Sequence, residues 1–180
     1  MTPPFQDALR RAFESSGGRP LAQVATVSPA GLPEVRTVVL RGLGQDGDPW
    51  FASDARSEKF RSLAVTPWLE LCLFEARAGV QWRLLGRAAV HAGDGLARRA
   101  WGELPPDTRA LFSSPPPGRP LAESQGEGGE RRRPTATPPG NFAVVRLPPE
   151  RCDKLVLGPP LQRRIWRLAA GQWAQRDIVP

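Results

Sequence analysis

Residues 35–42 read VRTVVLRG, and after a glycine-containing turn the chain continues at residues 49–59 with PWFASDARSEK. Valine, threonine and leucine dominate the first stretch, which predicts a β-strand. Alternation along a strand divides its side chains between two faces, one with Val35, Thr37, Val39 and Arg41, the other with Arg36, Val38 and Leu40. Taken alone, this pattern favours a strand with solvated arginines near its ends.

The second stretch joins a short aromatic strand to the start of a helix, with Ser53 or Asp54 as its predicted cap. The free backbone N–H groups at a helix start attract anions. Ser53 and Ser57 add hydroxyl donors, and Arg56 and Lys59 add positive charge. Two interpretations are open here: a phosphate-binding site, or a capped helix with a salt-bridged first turn.

A third feature is Gln81, which opens the sequence QWRLLGR. A buried glutamine needs partners for both a donor and an acceptor, and the edge of a flavin ring offers both. A glutamine on the solvated side of a barrel is the alternative.

Working outward, residues 4–16 have helical periodicity, and the runs at 21–28 and 33–42 form a predicted hairpin. Further strands are predicted at 68–75, as one long strand at 80–91, and as three or four strands after residue 140. Helical stretches are predicted after Gly95 and around 107–112. The sum is a mainly β fold, an antiparallel barrel with short inserted helices. Residues 1–180 are predicted to form a single domain, with 114–140 as a long Pro/Gly-rich loop.

Composition excludes several classes of function. His91 is the only histidine, and Cys72 and Cys152 form no metal-binding pair. A zinc site and a serine hydrolase triad are therefore both disfavoured. The two cysteines are predicted to be buried and reduced. No apolar run is long enough to span a bilayer and residues 1–11 do not form a secretory signal, so a cytoplasmic protein without a membrane partner is expected. The net charge of +7 is dispersed along the chain, which disfavours a nucleic-acid-binding barrel.

The order of these pieces resembles the pyridoxamine 5′-phosphate oxidase family. The resemblance rests on RTVVLRG at 36–42, SDARSEK at 53–59, PWLELCLF at 67–74 and QWRLLGR at 81–87. It continues through the later segments WGELPPDTR (101–109), FSSPPPG (112–118), PGNF (139–142) and LQRRIWR (161–167). It is closer to a branch of FMN-binding split-barrel proteins within that family than to the vitamin B6 oxidase. The implied fold is a split β-barrel, and the implied cofactor is FMN.

The resemblance also implies roles for individual residues. The strand from Arg36 to Arg41 (Arg36, Thr37, Val38, Val39, Leu40 and Arg41) would line one edge of the FMN, with Arg36 toward the phosphate. Ser53, Ser57 and Lys59 would hold the phosphate and the ribityl chain. Gln81 and Arg164 would reach the ring from the second subunit of a homodimer with FMN at the subunit interface.

Some positions depart from the family pattern. Glu58 stands where an arginine is expected beside the phosphate, and Arg56 is predicted to substitute for it. Pro160, Leu161 and Gln162 replace the Arg-x-His pair that grips pyridoxal phosphate, so the vitamin B6 oxidase activity itself is disfavoured.

The leading hypothesis is an FMN-dependent oxidoreductase that acts on a small molecule, with no residue evident as a general acid or base. Arg41 and the segment Trp101 to Arg109 are predicted to border the substrate, and the 114–140 loop to act as a lid. The alternatives are a non-catalytic carrier of flavin or deazaflavin and, least favoured, the nucleic-acid-binding barrel.

Overall fold

The computed structural model describes residues 2–44, 46–120, 122 and 135–180. Ten strands occupy β1 Leu21–Val27, β2 Pro33–Leu43, β3 Pro49–Asp54, β4 Trp68–Glu75, β5 Val80–Arg87, β6 Ala89–His91, β7 Phe142–Arg146, β8 Arg151–Val156, β9 Gln162–Ala169 and β10 Gln172–Ile178. The helices are α1 Gln6–Ser15, α2 Glu58–Val65, α3 Gly95–Glu103 and α4 Pro106–Ala110, the last followed by a 3₁₀ turn at Leu111–Ser113. None of the helices in the described ranges is long and apolar enough to cross a membrane.

The strands form one continuous antiparallel sheet in the order β10-β9-β8-β5-β4-β1-β2-β3-β7-β6. The sheet curves into a half-barrel, which confirms the predicted split-barrel fold with short helices. Because β2 and β3 lie near one end of this order and β8 to β10 at the other, residues from the two regions are far apart along the sheet.

The inner face of the sheet carries the main core. Leu69, Leu71 and Leu84 are almost fully buried there, and α1 covers the face with Phe5 and Leu9. Phe5 packs against Trp166 and Trp173, with ring centres 5.5 and 5.1 Å apart. A smaller core lies between α3 and β7, around Trp101, Phe142 and Val144.

The outer face of the sheet is less well covered. The residues of this face alternate along each strand with core residues and are paired across neighbouring strands. They are Gln23, Val35, Cys72, Phe74, Gln81, Arg83, Asp153 and Arg163. Val35 is 67% exposed, Leu21 61% and Phe74 47%. Asp153 is buried on this face by Arg163 at 2.8 Å and Arg83 at 3.4 Å.

Several local predictions need correction. The long strand expected at 80–91 is two strands, because the chain leaves β5 after Arg87 and β6 pairs with β7 instead. Near the end of β5 only glycine fits at Gly86, since a Cβ there would collide with the carbonyl oxygen of Pro148. The cap of α2 is Ser57, not Ser53 or Asp54, because β3 continues through Asp54.

The cysteine prediction is borne out only in part, and the loop prediction stays a prediction. Cys152 is buried, whereas Cys72 on the outer face is only partly buried, and both are free thiols. Burial raises the pKa of the Cys72 thiol, and the neighbouring Glu70 adds to this while Arg83 opposes it. Much of the predicted 114–140 loop lies outside the described residues, so its role as a lid stays a prediction.

Candidate functional site

A groove of about 460 Å³ runs between β2, the end of β3, the start of α2 and the segment after α4. Its volume is in the range typical of sites for small molecules and cofactors. Its polar lining residues are Thr37, Arg41, Ser53, Asp54, Ser57 and Lys59, of which Ser53, Ser57 and Lys59 contact one another and form what we call its polar end. Its apolar lining residues include Val38, Val39, Leu111, Phe112, Pro115 and Pro117. The groove therefore suits a ligand that combines an anionic group with an apolar body.

Lys59 is the centre of the polar end. Its Nζ donates hydrogen bonds to Ser53 Oγ at 2.8 Å and to Ser57 Oγ at 3.1 Å. Burial lowers the pKa of Lys59 below its ordinary value, and the positive charge of Arg36 lowers it further, against a smaller opposing effect of Asp54. Within the described residues no carboxylate forms an ion pair with this ammonium group. A bound phosphate would supply the missing negative charge.

The start of α2 adds backbone donors beside this lysine. Ser57 is the N-cap, but its hydroxyl donates to the carbonyl oxygen of Asp54 at 2.7 Å and does not cap the helix. N–H groups in the first turn of a helix have no partner within the helix, and they favour an anion at this position. The structure thus fits a phosphate at Ser53, Ser57 and Lys59.

Two arginines of β2 were predicted at this site. Arg36 is half-buried beside the groove, where its guanidinium donates to Thr26 Oγ1 at 2.6 Å and to Glu34 Oε2 at 2.8 Å. It contributes long-range positive charge toward Lys59 and no groove surface. Arg41 does line the groove, at a register shift between Leu40 and Gly42. Burial, and to a smaller extent the charge of Arg19, lower the pKa of Arg41.

Arg56 has a different role from the predicted one. Its Nε and Nη2 donate to the carboxylate of Asp54, at 3.0 Å and 2.7 Å to the nearest oxygens, and Nη2 also donates to the carbonyl oxygen of Ser114 at 2.9 Å. Asn141 Nδ2 donates to Asp54 Oδ2 at 2.9 Å and to the carbonyl oxygen of Phe112 at 3.0 Å. Asp54, Arg56 and Asn141, which we call the Asp54 clamp, therefore tie the apolar wall at Phe112 and Ser114 to the end of β3.

The pKa values of Asp54 and Arg56 are both shifted toward their charged forms. Burial opposes ionisation of Asp54, but the hydrogen bonds from Arg56 and Asn141 outweigh it and lower the pKa of Asp54. The side-chain hydrogen bonds that Arg56 donates to Asp54 likewise raise the pKa of Arg56. Asn141 and Phe112 were not predicted as parts of the site, since Asp54 and Asn141 are 87 positions apart and no motif spacing connects them.

Glu58 points away from the predicted phosphate position. Its side chain is 68% exposed, and its carboxylate pairs with Arg61 at 3.4 Å on the solvent side of α2. An exposed, paired charge of this kind is weakened by solvent and salt. The expected repulsion of a phosphate by Glu58 is therefore small.

Of the predicted site residues, Thr37, Val38, Val39, Arg41, Ser53, Ser57 and Lys59 line one groove. Leu40 is buried in the main core, so only its backbone is available to a ligand. Gln81 and Arg164 do not line the groove of their own chain. Gln81 is on the outer face of β5, opposite Phe74 and Leu155, and Arg164 is on the inner face of β9, paired with Asp177.

The region of Trp101 to Arg109 is divided. Trp101 is buried in the smaller core, and its Nε1 donates to the carbonyl oxygen of Thr135 at 3.0 Å. Thr108 lines the groove. Within the predicted segment, therefore, only the part in α4 lines the groove.

Fold and groove together define a split-barrel protein whose groove combines a partly buried lysine, two serine hydroxyls and apolar side chains. Residues 2–92 match the family described as the FMN-binding domain of pyridoxamine 5′-phosphate oxidase, and the chain belongs to this family. The prediction of FMN is confirmed at the level of the family. The branch within it stays a prediction.

Individual relatives agree with this assignment. The chain is 29% identical over 170 residues to pyridoxine/pyridoxamine 5′-phosphate oxidase 2 of Arabidopsis thaliana, covering 88% of this chain and 86% of the relative. A pyridoxamine 5′-phosphate oxidase-related, FMN-binding protein from Nostoc punctiforme superposes with a TM-score of 0.90 at 28% identity over the whole of both chains. PhzG from Burkholderia lata, at 18% identity, covers all of this chain and 98% of its own with a TM-score of 0.82 and shares the fold.

Proposed function

We propose that this protein binds FMN in the groove and acts as an FMN-dependent oxidoreductase on a small molecule. The observation that carries the proposal is the half-buried Lys59, which is held by Ser53 and Ser57 at a helix start and lacks an anionic partner within the described residues. The family to which the chain belongs supports the same cofactor.

We assign a part of the ligand to each group of residues. Ser53, Ser57 and Lys59 would hold the phosphate, and Arg36 would add positive charge nearby. The ring would lie against the apolar residues of the groove, among them Val39 and Phe112. When bound, FMN supplies hydride and electron transfer at its ring, while the protein positions the substrate and controls access.

Arg41 is the residue of the groove best suited to orient a substrate. It lines the groove and carries a charge that burial has partly desolvated. A desolvated cation binds an anionic group more strongly than a solvated one, because the local dielectric is low. We therefore assign to Arg41 the anchoring of a negatively charged substrate group.

We further propose that the protein works as a homodimer that completes the site. Gln81 lies on the outer face with Val35 and Phe74, whose large exposed fractions favour burial against another surface. The groove borders the same face through Thr37 and Val39 of β2. A second copy of the chain seated on the outer face would bring Gln81 toward the neighbouring groove, which one chain cannot do alone.

The first test is an absorption spectrum of the purified protein, followed by release of the ligand with acid and its identification by mass. FMN at one per subunit supports the proposed site. A deazaflavin would keep the site and change the cofactor. A colourless protein that does not take up added FMN would overturn the proposal.

Turnover is tested separately from binding. Reduction of the bound flavin by NADH or NADPH, followed by reoxidation by small-molecule acceptors, is the expected behaviour of an oxidoreductase. Stoichiometric FMN with neither reaction would favour the carrier function.

The homodimer is tested by sedimentation velocity with Phe74→Glu, which places a charge on the outer face, and Val65→Glu as a control at the exposed end of α2, outside the groove. The Phe74 variant is expected to become monomeric and the control to stay dimeric. A monomeric parent protein would contradict the proposal.

A further inference from the structure

Arg41, which lines the groove, has a second arginine opposite it on the neighbouring segment of chain. β1 and β2 are antiparallel, and the register of their pairing continues one residue beyond the start of β1. There the backbone N–H of Leu40 donates to the carbonyl oxygen of Pro20 at 2.9 Å. The next pair in this register is Arg19 with Arg41.

The charges of these two arginines act on each other. Residues directly opposite in an antiparallel pair have their Cβ atoms about 5 Å apart on the same face of the sheet. In agreement with this, the charge of Arg19 adds to the effect of burial in lowering the pKa of Arg41. Like charges that face each other across two strands are destabilising. The pair therefore costs free energy unless an anion lies between or beside the two guanidinium groups.

No carboxylate compensates this repulsion within the described residues, where neither Arg19 nor Arg41 forms an ion pair. Arg36, nearer the other end of β2, does have a carboxylate partner, since its guanidinium lies 2.8 Å from Glu34. The same strand thus carries one neutralised arginine and one whose neighbour across the strands is another cation. The unneutralised one is the arginine that lines the groove.

Both guanidinium groups are open to a ligand. Arg41 is only partly buried and forms part of the groove surface, and Arg19 is exposed to solvent. A molecule that binds Arg41 from within the groove therefore has a second cation beside it, on the adjoining segment. One anionic group would satisfy Arg41 alone, whereas two would satisfy the pair.

We propose that Arg19 is a specificity-determining residue, which together with Arg41 selects a substrate with two carboxylates. The planar fork of a guanidinium group matches the two oxygens of a carboxylate. Because two like charges separate as far as their side chains allow, each arginine presents its own fork, and a dicarboxylate supplies one anion to each. This inference rests on the proposed function, since the substrate would share the groove with FMN, and it adds the class of substrate.

Isothermal titration of the FMN-saturated protein with isophthalate and benzoate tests the proposal. FMN fills the polar end at Lys59, so that the added anion meets Arg41 and Arg19. Isophthalate, which carries a second carboxylate on the same ring, is expected to bind about fivefold more tightly than benzoate. The gain is modest because the pair with an exposed arginine is screened by solvent. Arg19→Ala should remove the preference and leave the affinity for benzoate unchanged.

Arg11→Ala is the matched control, because it removes an exposed arginine of α1 that does not line the groove. It makes the same change in net charge and should keep the preference for isophthalate. Phenyl phosphate is titrated in parallel, since it places two charges on one group. It is expected to bind less tightly than isophthalate, because one compact group cannot engage two separate forks.

The thermal unfolding midpoint separates a role in ligand binding from a structural one. Arg19→Ala removes a contact between like charges, so the midpoint should stay the same or rise. A lower midpoint, together with a weaker dimer in sedimentation velocity, would mean that Arg19 pairs with a carboxylate of a second copy. That result would overturn the proposal.

Failure of the proposed function can be told apart from failure of this inference. If the protein takes up no FMN, the same titration on Lys59→Met, which lacks the competing cation of the polar end, still measures the arginine pair. A preference for isophthalate there would support the pair without the flavin. Equal affinity for isophthalate and benzoate, an unchanged preference in a folded Arg19→Ala protein, or tighter binding of phenyl phosphate would overturn the inference.

Discussion

The two lysines of this chain occupy two cavities that are built in different ways. Lys59 lies in a groove whose polar end comes from one strand-to-helix connection, and its apolar wall is a non-strand segment held by the Asp54 clamp. Lys154 lies in a cavity assembled from paired strands, in which register alone sets its neighbours.

The difference in construction has consequences for both ligand and rigidity. At Lys59 two serine hydroxyls, backbone N–H groups and a nearby arginine surround the expected phosphate, which suits a doubly charged group. At Lys154 the ammonium group lies 5.0 Å from the ring centre of Trp82, in a cavity that Phe5 and Trp166 also line. Loss of one hydrogen bond in the Asp54 clamp would move the apolar wall of the Lys59 groove. The cavity at Lys154 would change only if the pairing of its strands changed.

Exchange of each lysine for methionine is expected to give the largest effect and the clearest separation of the sites. Lys59→Met should weaken FMN by roughly 10- to 150-fold, because a hydrogen bond to a charged group contributes about 1.5–3 kcal/mol. Lys154→Met should change FMN affinity by less than about twofold. Quenching of flavin fluorescence during titration measures both. A similar loss in the two variants would mean that the cavities are not independent.

The pH dependence of FMN binding sharpens the same comparison. Burial lowers the pKa of Lys59, so its proton is lost at a lower pH than that of an ordinary lysine, whose pKa is 10.5. The protonated lysine binds the phosphate, so affinity should be intact at neutral pH and fall as pH rises through the lowered pKa. Above it the loss approaches about tenfold per pH unit.

Lys59→Arg is the control for this profile. Arginine keeps its charge throughout the alkaline range, so the variant should show a flatter pH dependence even if its affinity at neutral pH is lower. Titration of the ligand itself is common to both proteins and cancels in the comparison. Parallel profiles would contradict a role for the Lys59 charge.

The sequence predicted the parts of the first site that follow one another along the chain. Thr37, Val39 and Arg41 share a strand with period two, and Ser53, Ser57 and Lys59 lie within seven positions, so local pattern is enough to group them. The sheet was predictable for the same reason, and the strand at Trp68–Glu75 was placed with its observed bounds. The role of Arg56 was not, because its position beside the serines does not reveal its pairing with Asp54.

The parts that sequence reasoning missed depend on contacts between distant segments. Asn141 reaches Asp54 only because β7 pairs with β3. Trp82, Lys154 and Trp166 meet only through the register of β5, β8 and β9, which no local pattern specifies. The break between β5 and β6 likewise reflects a change of strand partner, since the apolar pattern continues through it.

Removal of the hydrogen bonds of the Asp54 clamp tests whether the apolar wall of the groove depends on its link to β3. Asp54→Ala removes the acceptor for Arg56 and Asn141 and leaves their donors without it, so Phe112 and Ser114 lose their link to β3. FMN affinity should fall by about tenfold, and the free energy of unfolding in urea by roughly 1–3 kcal/mol. FMN affinity equal to that of the parent protein would show that the wall is held by other contacts.

The smallest expected effect concerns Glu58, the other carboxylate in the same segment as Asp54. Because its side chain is exposed and pairs with Arg61 on the solvent side of α2, its repulsion of a bound phosphate is screened. Glu58→Gln should therefore tighten FMN by no more than about twofold, and half a molar salt should remove even this difference. A larger gain that disappears with salt would mean that Glu58 turns toward the phosphate when the groove is filled. In that case the negative charge at this position would set the affinity for the cofactor, and Lys59 would have to overcome it.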